Sequence, residues 1–179
     1  GDVQRAETGE WLTEDTFKAF RKIRPDGQTM HHYIREDWNR RAIKRPHVMV
    51  ASDAMPLLSY DRKVVPNGAG TSTRILGQYV RYEGLLSLSD AIARLSLYPA
   101  LRLETFAPAF AQKGRIAVGA DAHIVVFDSA TVAATASYEA PFTPPAGIHS
   151  VWVGGHLSVQ HGQTVEEAGA GQKLIADNR

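Results

Sequence analysis

The sequence contains no cysteine, which excludes disulfides and thiolate metal ligands and leaves the redox compartment open. An excess of either charge is also missing. The 20 Lys and Arg stand against 19 Asp and Glu for a formal charge of +1, and neither sign gathers into a block, so nothing predicts a nucleic-acid surface. No apolar run approaches the roughly eighteen residues that span a bilayer, and the opening GDVQRAETGEW lacks the charged-then-apolar layout of a signal peptide. The chain therefore reads as soluble and away from membranes, with the cytoplasm favoured. There is no initiator Met, and entry through polar, loop-like residues suits a fragment or a processed product.

What is present is ample apolar material: 44% of 179 residues, enough for the packed core of one ordinary domain. Residues 1 to 12 are polar. In TEDTFKAFRKI, residues 13 to 23, Phe17, Phe20 and Ile23 fall at helical spacing behind an acidic first turn, which predicts an amphipathic helix. Pro25-Asp26-Gly27 marks a turn and QTMHHYI a short apolar-aromatic run. REDWNRRAIKR sets Trp38, Ala42 and Ile43 on one side of a second helix that Pro46 ends. HVMVAS is apolar without alternation, the pattern of a strand buried on both faces of a parallel sheet, and Asp53 sits just past its end.

A long loop over 54 to 70 carries Pro56, Pro66, Gly68 and Gly70, and loops of that length are functional or disordered more often than not. After it, TSTRILGQYVRY places Ile75, Leu76, Tyr79 and Val80 on one helical face up to Gly84. Ser87 and Asp90 open a further helix whose Leu88, Ile92 and Leu95 form a stripe, with Pro99 closing it. From about Lys113 the texture changes to short strands between glycine-containing turns: KGRIAVGADA, HIVVFD and HSVWVGGHLSVQHGQTV. Gly154-Gly155 between SVWV and HLSV is a hairpin signal, because a tight primed turn demands positive φ. The expected class is α/β followed by β.

The sharpest chemical signal is VMVASDAMP. A carboxylate at the C-terminal end of a buried parallel strand points into the mouth where α/β barrels place their active sites. Asp53 is accordingly the first candidate, with an aspartate capping the following turn as the equal alternative.

HVMVASDAMP, GTSTRILGQYVRYEGLLSLSDAIARLSLYPALRL, KGRIAVGADAHIVVFDSATV, SYEAPFTPPAGIHSVWVGGHLSV and GQTVEEAGAGQKL, in this order, resemble the C-terminal third of the N-acyl-D-amino-acid deacylases of the amidohydrolase superfamily. The resemblance implies a metal-centred (β/α)8 barrel beside a small β-sandwich built from both chain ends. A barrel alone takes roughly 250 residues. This chain would then hold the last part of the barrel in residues 1 to 112, including the end of a lid insertion, and sandwich strands in 113 to 179. Glu7-Thr8-Gly9-Glu10 resembles the end of that insertion, an exposed stretch a protease could nick.

By the same resemblance Asp53 is the aspartate after the eighth strand, which takes a proton from the metal-bound water, returns it to the leaving nitrogen and, in two-metal relatives, also touches a metal. One or two zinc ions are implied, held mainly by residues upstream of this chain, since no His-x-His pair occurs here. The implied partners are that upstream segment or chain and a small-molecule substrate; association with further copies stays open.

Three residues are candidates for binding substrate. His32, in His32-Tyr33-Ile34, matches a family histidine, with a structural or supporting role favoured over metal ligation, and adjacent His31 would face the opposite way in a strand. Asn67 follows Pro66 where deacylases of this family tend to carry an arginine suited to a substrate carboxylate, so a free carboxylate is less well served here. Arg74 matches a family arginine, against the blander reading of a helix-surface residue paired with an acid. His47, His123, His149, His156 and His161 read as surface or core positions, His123 standing where relatives usually carry Asp. The leading expectation is hydrolysis of a linear amide such as an N-acylated D-amino acid. Cyclic-amide hydrolysis of the dihydroorotase or hydantoinase kind, and a non-catalytic α+β interaction module, are the alternatives.

Overall fold

The computed structural model describes residues 2–54, 64–165 and 169–174. Its first element is an antiparallel sheet of β1 (Val3–Arg5), β2 (Trp11–Leu12) and β3 (Thr29–His31), in the order β2-β1-β3. Glu7 to Glu10 form the turn between β1 and β2. Gly9 takes φ 74° there and donates to the Arg5 carbonyl at 2.8 Å, so a stretch that reads as loop is the tip of a hairpin. Helix α1 (Glu14–Ile23) begins where expected, with Thr13 and Thr16 capping each other reciprocally. Of its apolar stripe Phe20 is buried, while Ile23 stays exposed.

Helix α2 (Glu36–Ile43) buries Ile43. Helix α3 (Asn67–Arg74) runs directly into wider π-helical turns over Ile75–Tyr82. Ile75, Leu76 and Tyr79 are buried, matching the expected face. Gly84, at φ 59°, ends the run, with its N–H on the Val80 carbonyl at 3.2 Å.

A second helical run is assembled from α4 (Leu88–Ile92), π turns over Ala93–Leu97 and α5 (Tyr98–Leu103). Ser87 caps it by accepting the Asp90 N–H at 3.1 Å. Pro99 does not close this run. The π turns come immediately before it, so a residue without an N–H falls in the first turn of α5, where it interrupts little. The buried face also differs from the expected stripe: Ala91 and Arg94 point inward, and Leu88 and Ile92 are exposed.

The apolar run at 48 to 54, expected as a strand, forms none. A doubly buried strand exists only when neighbours supply its ladder, and among the described residues no strand pairs with it. Its main chain is held otherwise. Val50 N–H donates to the Arg94 carbonyl at 3.1 Å, and Arg94 Nη1 donates to the carbonyls of Arg45 and Val48 at 2.8 and 3.1 Å.

The C-terminal sheet is antiparallel, in the order β4 (Ile124–Phe127), β5 (Ile148–Val153), β6 (His156–Gln160), β7 (Gln163–Thr164). Gly154 and Gly155, at φ 57° and 84°, make the expected primed turn between β5 and β6. A second such turn, unanticipated, joins β6 to β7 through His161 and Gly162 at φ 49° and 76°. KGRIAVGADA forms no strand, and Ile116 and Val118 are fully exposed.

One core of Ile43, Ile75, Leu76, Tyr79, Leu86, Ala91 and Val132 lies among the helices, and Phe127 and Ile148 of the sheet pack against it. Val132, 1% exposed, comes from the segment after β4. Gly77 lets the helix approach that segment closely: a Cβ there would lie 2.7 Å from the Val132 carbonyl oxygen, which accepts from Arg81 Nη1 at 2.6 Å. Among the described residues no helix is long and apolar enough to cross a membrane.

Candidate functional site

Asp53 ends the 48 to 54 run in a left-handed conformation, φ 52°, with its residue exposed. That turn meets the N-terminal end of α3. Asn67, the first residue of α3, donates its side-chain amide to the Ser52 carbonyl at 2.6 Å and to the Asp53 carbonyl at 3.3 Å. Of the expected loop over 54 to 70, residues 55–63 lie outside the described residues. A cavity of about 410 Å³ opens beside the turn, between α3 and the sheet, with Ser52, Asn67 and Thr71 on one wall and Ile148, Val151 and Val159 on the other.

The other expected site residues stand in separate surroundings. Arg74 is ion-paired at 2.8 Å with Glu36 of α2, which also accepts the Tyr79 hydroxyl at 2.6 Å. Burial opposes ionisation of Glu36, yet the bonds from Tyr79 and Arg74 prevail and its pKa is lowered. Burial first, and Glu36 second, push Tyr79 up to about 12. Next to this pair Arg40 grips Glu83 through two bonds of 2.7 and 2.8 Å, and with Gln78 it holds Glu83 down to about 2.

His32 extends from the end of β3. Its ring lies 4.8 Å from Trp11 and 4.6 Å from Tyr138, with Nε2 3.0 Å from Gln4 Oε1. His31 contacts Thr29 at 3.1 Å. His123, whose presence in place of Asp had no account in the sequence, accepts the Gly154 N–H of the β5–β6 turn on Nδ1 at 3.1 Å and lies 2.9 Å from Lys113 Nζ. An aspartate oxygen would accept the same N–H, so the imidazole replaces one acceptor by another. His149 and His161 face each other at the far end of that hairpin, ring centroids 4.7 Å apart.

Among the described residues no group of three or more His, Cys, Asp or Glu is placed to hold a metal ion. Asp53 offers one carboxylate, which fits a single contact to an ion held chiefly by other residues. Sequence reasoning singled out Asp53 and Asn67 separately and missed their meeting through the main chain. The available signal was chemical: an asparagine amide carries two donors and can bridge two carbonyls.

No family profile matches the chain. It is 38% identical over 141 residues to the N-acyl-D-glutamate deacylase of Alcaligenes xylosoxydans xylosoxydans, a match covering 79% of this chain and 27% of that protein. The solved structure of N-acyl-D-glutamate deacylase from Bordetella bronchiseptica, complexed with zinc and a phosphonate inhibitor that mimics the tetrahedral intermediate, aligns with a TM-score of 0.81 and 31% identity, covering 98% of this chain and 38% of that one. A D-aminoacylase structure concerned with a binuclear metal centre, one-metal activation and second-metal attenuation aligns at a TM-score of 0.78 and 26% identity, over 94% and 36% of the two chains. The chain thus spans between 27% and 38% of the length of these relatives.

Proposed function

We infer that this chain, which resembles the C-terminal portion of the N-acyl-D-amino-acid deacylases, supplies the catalytic aspartate of a metal-dependent hydrolase of linear amides. The observation that carries the reading is the deacylase likeness, 38% identity to one such enzyme and a TM-score of 0.81 to another, over a chain whose exposed Asp53 follows an apolar run, next to Ser52 on the wall of a cavity. In this reading residues 1 to 112 are the end of a (β/α)8 barrel and 113 to 179 are strands of its β-sandwich. The upstream segment of the same protein completes both. Exposed Ile124, Val125 and Val126 on edge strand β4, with Ile116 and Val118, support a covering partner of that kind.

One or two zinc ions, held mainly upstream with Asp53 as one contact, would supply an acidified water and a polarised carbonyl. Asp53 takes a proton as the water oxygen attacks the acyl carbon. It hands that proton to the amide nitrogen as the C–N bond breaks, so a free amine and a carboxylic acid that loses its proton to solvent leave, and Asp53 returns to its starting state. The 54 to 70 loop sets the substrate class, an N-acyl-D-amino acid; with Asn67 in the family's arginine position, no cation stands there to grip a free carboxylate. Arg74, held by Glu36, and His32, held by Gln4, take supporting parts away from the Asp53 turn.

The test is Asp53→Asn in the full-length, zinc-loaded protein assayed on N-acetyl-D-glutamate and other N-acetyl-D-amino acids. Turnover should fall about 10²–10⁴-fold, with melting temperature and zinc content unchanged. Near-normal turnover would make Asp53 a structural cap. Joint loss of zinc and activity would make it chiefly a ligand.

A further inference from the structure

The geometry points to Asn67 as the positioning residue of Asp53, acting on its main chain and not on the substrate. This inference rests on the assignment of Asp53 as the catalytic aspartate.

A non-glycine residue at φ 52° is held there by its surroundings, because the left-handed region is sparsely populated without them. At Asp53 the surroundings are specific. The Ser52 carbonyl belongs to the peptide plane before the Asp53 Cα, and the Asp53 carbonyl to the plane after it. Asn67 Nδ2 reaches both, at 2.6 and 3.3 Å. Bonding the two planes on either side of one Cα restrains both of its dihedrals, and these set the direction of the Cα–Cβ bond and so of the carboxylate.

The clamp itself is anchored. Asn67 follows Pro66, whose ring fixes φ, and its own carbonyl accepts the Thr71 hydroxyl at 2.9 Å. One turn further on, Gly70 and Thr73 are buried, so the first turns of α3 are packed and not frayed. Ala54 lies beside Gly68, where an added Cβ would come to 3.4 Å from the Ala54 methyl, so a side chain at 68 would fill the space between turn and helix. An amide whose donors face two protein carbonyls is turned toward the aspartate's backbone, and an arginine in its place would carry its guanidinium beyond them.

The experiment uses the full-length, zinc-loaded enzyme and N-acetyl-D-glutamate. Asn67→Ala should lower kcat about 10- to 100-fold and leave KM within about threefold, since a small misplacement of a reacting group costs rate more than binding. Asn67→Asp keeps the shape but replaces both donors by an acceptor, and kcat should fall at least as far. In the Asp53→Asn background the Asn67→Ala change should alter kcat by less than about twofold, because nothing remains to be positioned. Amide hydrogen exchange over residues 52 to 54 should quicken in Asn67→Ala while zinc content stays constant.

A raised KM with unchanged kcat would overturn the inference in favour of a substrate contact. An equal loss of kcat in the Asp53→Asn background would overturn it in favour of an independent role, and unchanged exchange at 52 to 54 would remove its physical basis. Intact turnover in Asp53→Asn alone would sink the functional reading instead, and the exchange measurement would still decide whether Asn67 holds this turn.

Discussion

The helix over residues 67 to 82 and the run at 48 to 54 lie beside each other in the same core, yet their main chains are held in opposite ways. The helix closes its own hydrogen bonds and presents Ile75, Leu76 and Tyr79 inward, with Gly77 against the Val132 carbonyl. The 48 to 54 run has no ladder among the described residues, and the bond it closes within itself is that of the Ala54 N–H on the Ser52 hydroxyl at 3.3 Å. It borrows Arg94 at one end and Asn67 at the other, so side chains from both helical runs do for it what a sheet ladder would do. Order in the first region is local and packed; in the second it is lent by two residues distant in sequence. Asp53, the proposed catalytic aspartate, stands on the borrowed part.

The largest effect that would sharpen this contrast is expected from Gly77→Val in the full-length protein. The new side chain meets backbone, which cannot swing aside, so a loss of about 1–3 kcal/mol is predicted, read as a lower denaturation midpoint. Val132→Ala probes the same joint from the other side, removing most of a side chain that is 1% exposed, at a cost of about 1–3 kcal/mol.

Arg94→Met keeps the aliphatic stem but removes the donors to Arg45 and Val48, and about 1–2 kcal/mol should go. Its signature is regional. Exchange should quicken at the Val50 amide and leave 75 to 82 unchanged, and uniform acceleration across both regions would break the comparison.

The acid side gives a smaller effect. The folded Glu83 carboxyl is depressed to about 2, so its contribution is complete above the usual carboxylate value of 4.5 and is lost as pH falls from there toward 2. Glu36, lowered too, acts in the same direction. The melting temperature should drop across that window, and Glu83→Gln should flatten the drop. Pro99→Ala should do least, within about 0.5 kcal/mol, because the π turns already accommodate the missing donor.

Helix α1 was legible from its periodicity and cap, α2 and the helix from Thr71 to Tyr82 from periodicity alone, and Gly154-Gly155 because few residues accept its dihedrals; the first turn of α3, Asn67 to Gly70, was read as loop because it has no side-chain cap and two of its four residues are glycine. HVMVAS, residues 47 to 52, carries the apolar pattern of a doubly buried strand but forms none among the described residues, since apolarity reports burial while a ladder needs neighbours. Leu88 and Ile92 were misplaced because size suggested the buried stripe, whereas Arg94 turns the helix by reaching for two carbonyls. The His161-Gly162 turn escaped notice because histidine signals positive φ weakly beside asparagine or glycine. At the candidate site the residue types were readable, while a contact spanning fourteen residues from Asn67 to the Asp53 carbonyl is fixed by tertiary structure alone.

The close approach of Gly77 to Val132 bears on how such a chain can be recombined. A chimera that kept residues 1 to 112 and took its tail from a relative would have to bring a segment that fits a helix without a side chain at that point and offers a carbonyl to Arg81. Tail and helix are therefore a matched pair, and a seam drawn where the sequence changes texture would cut through it.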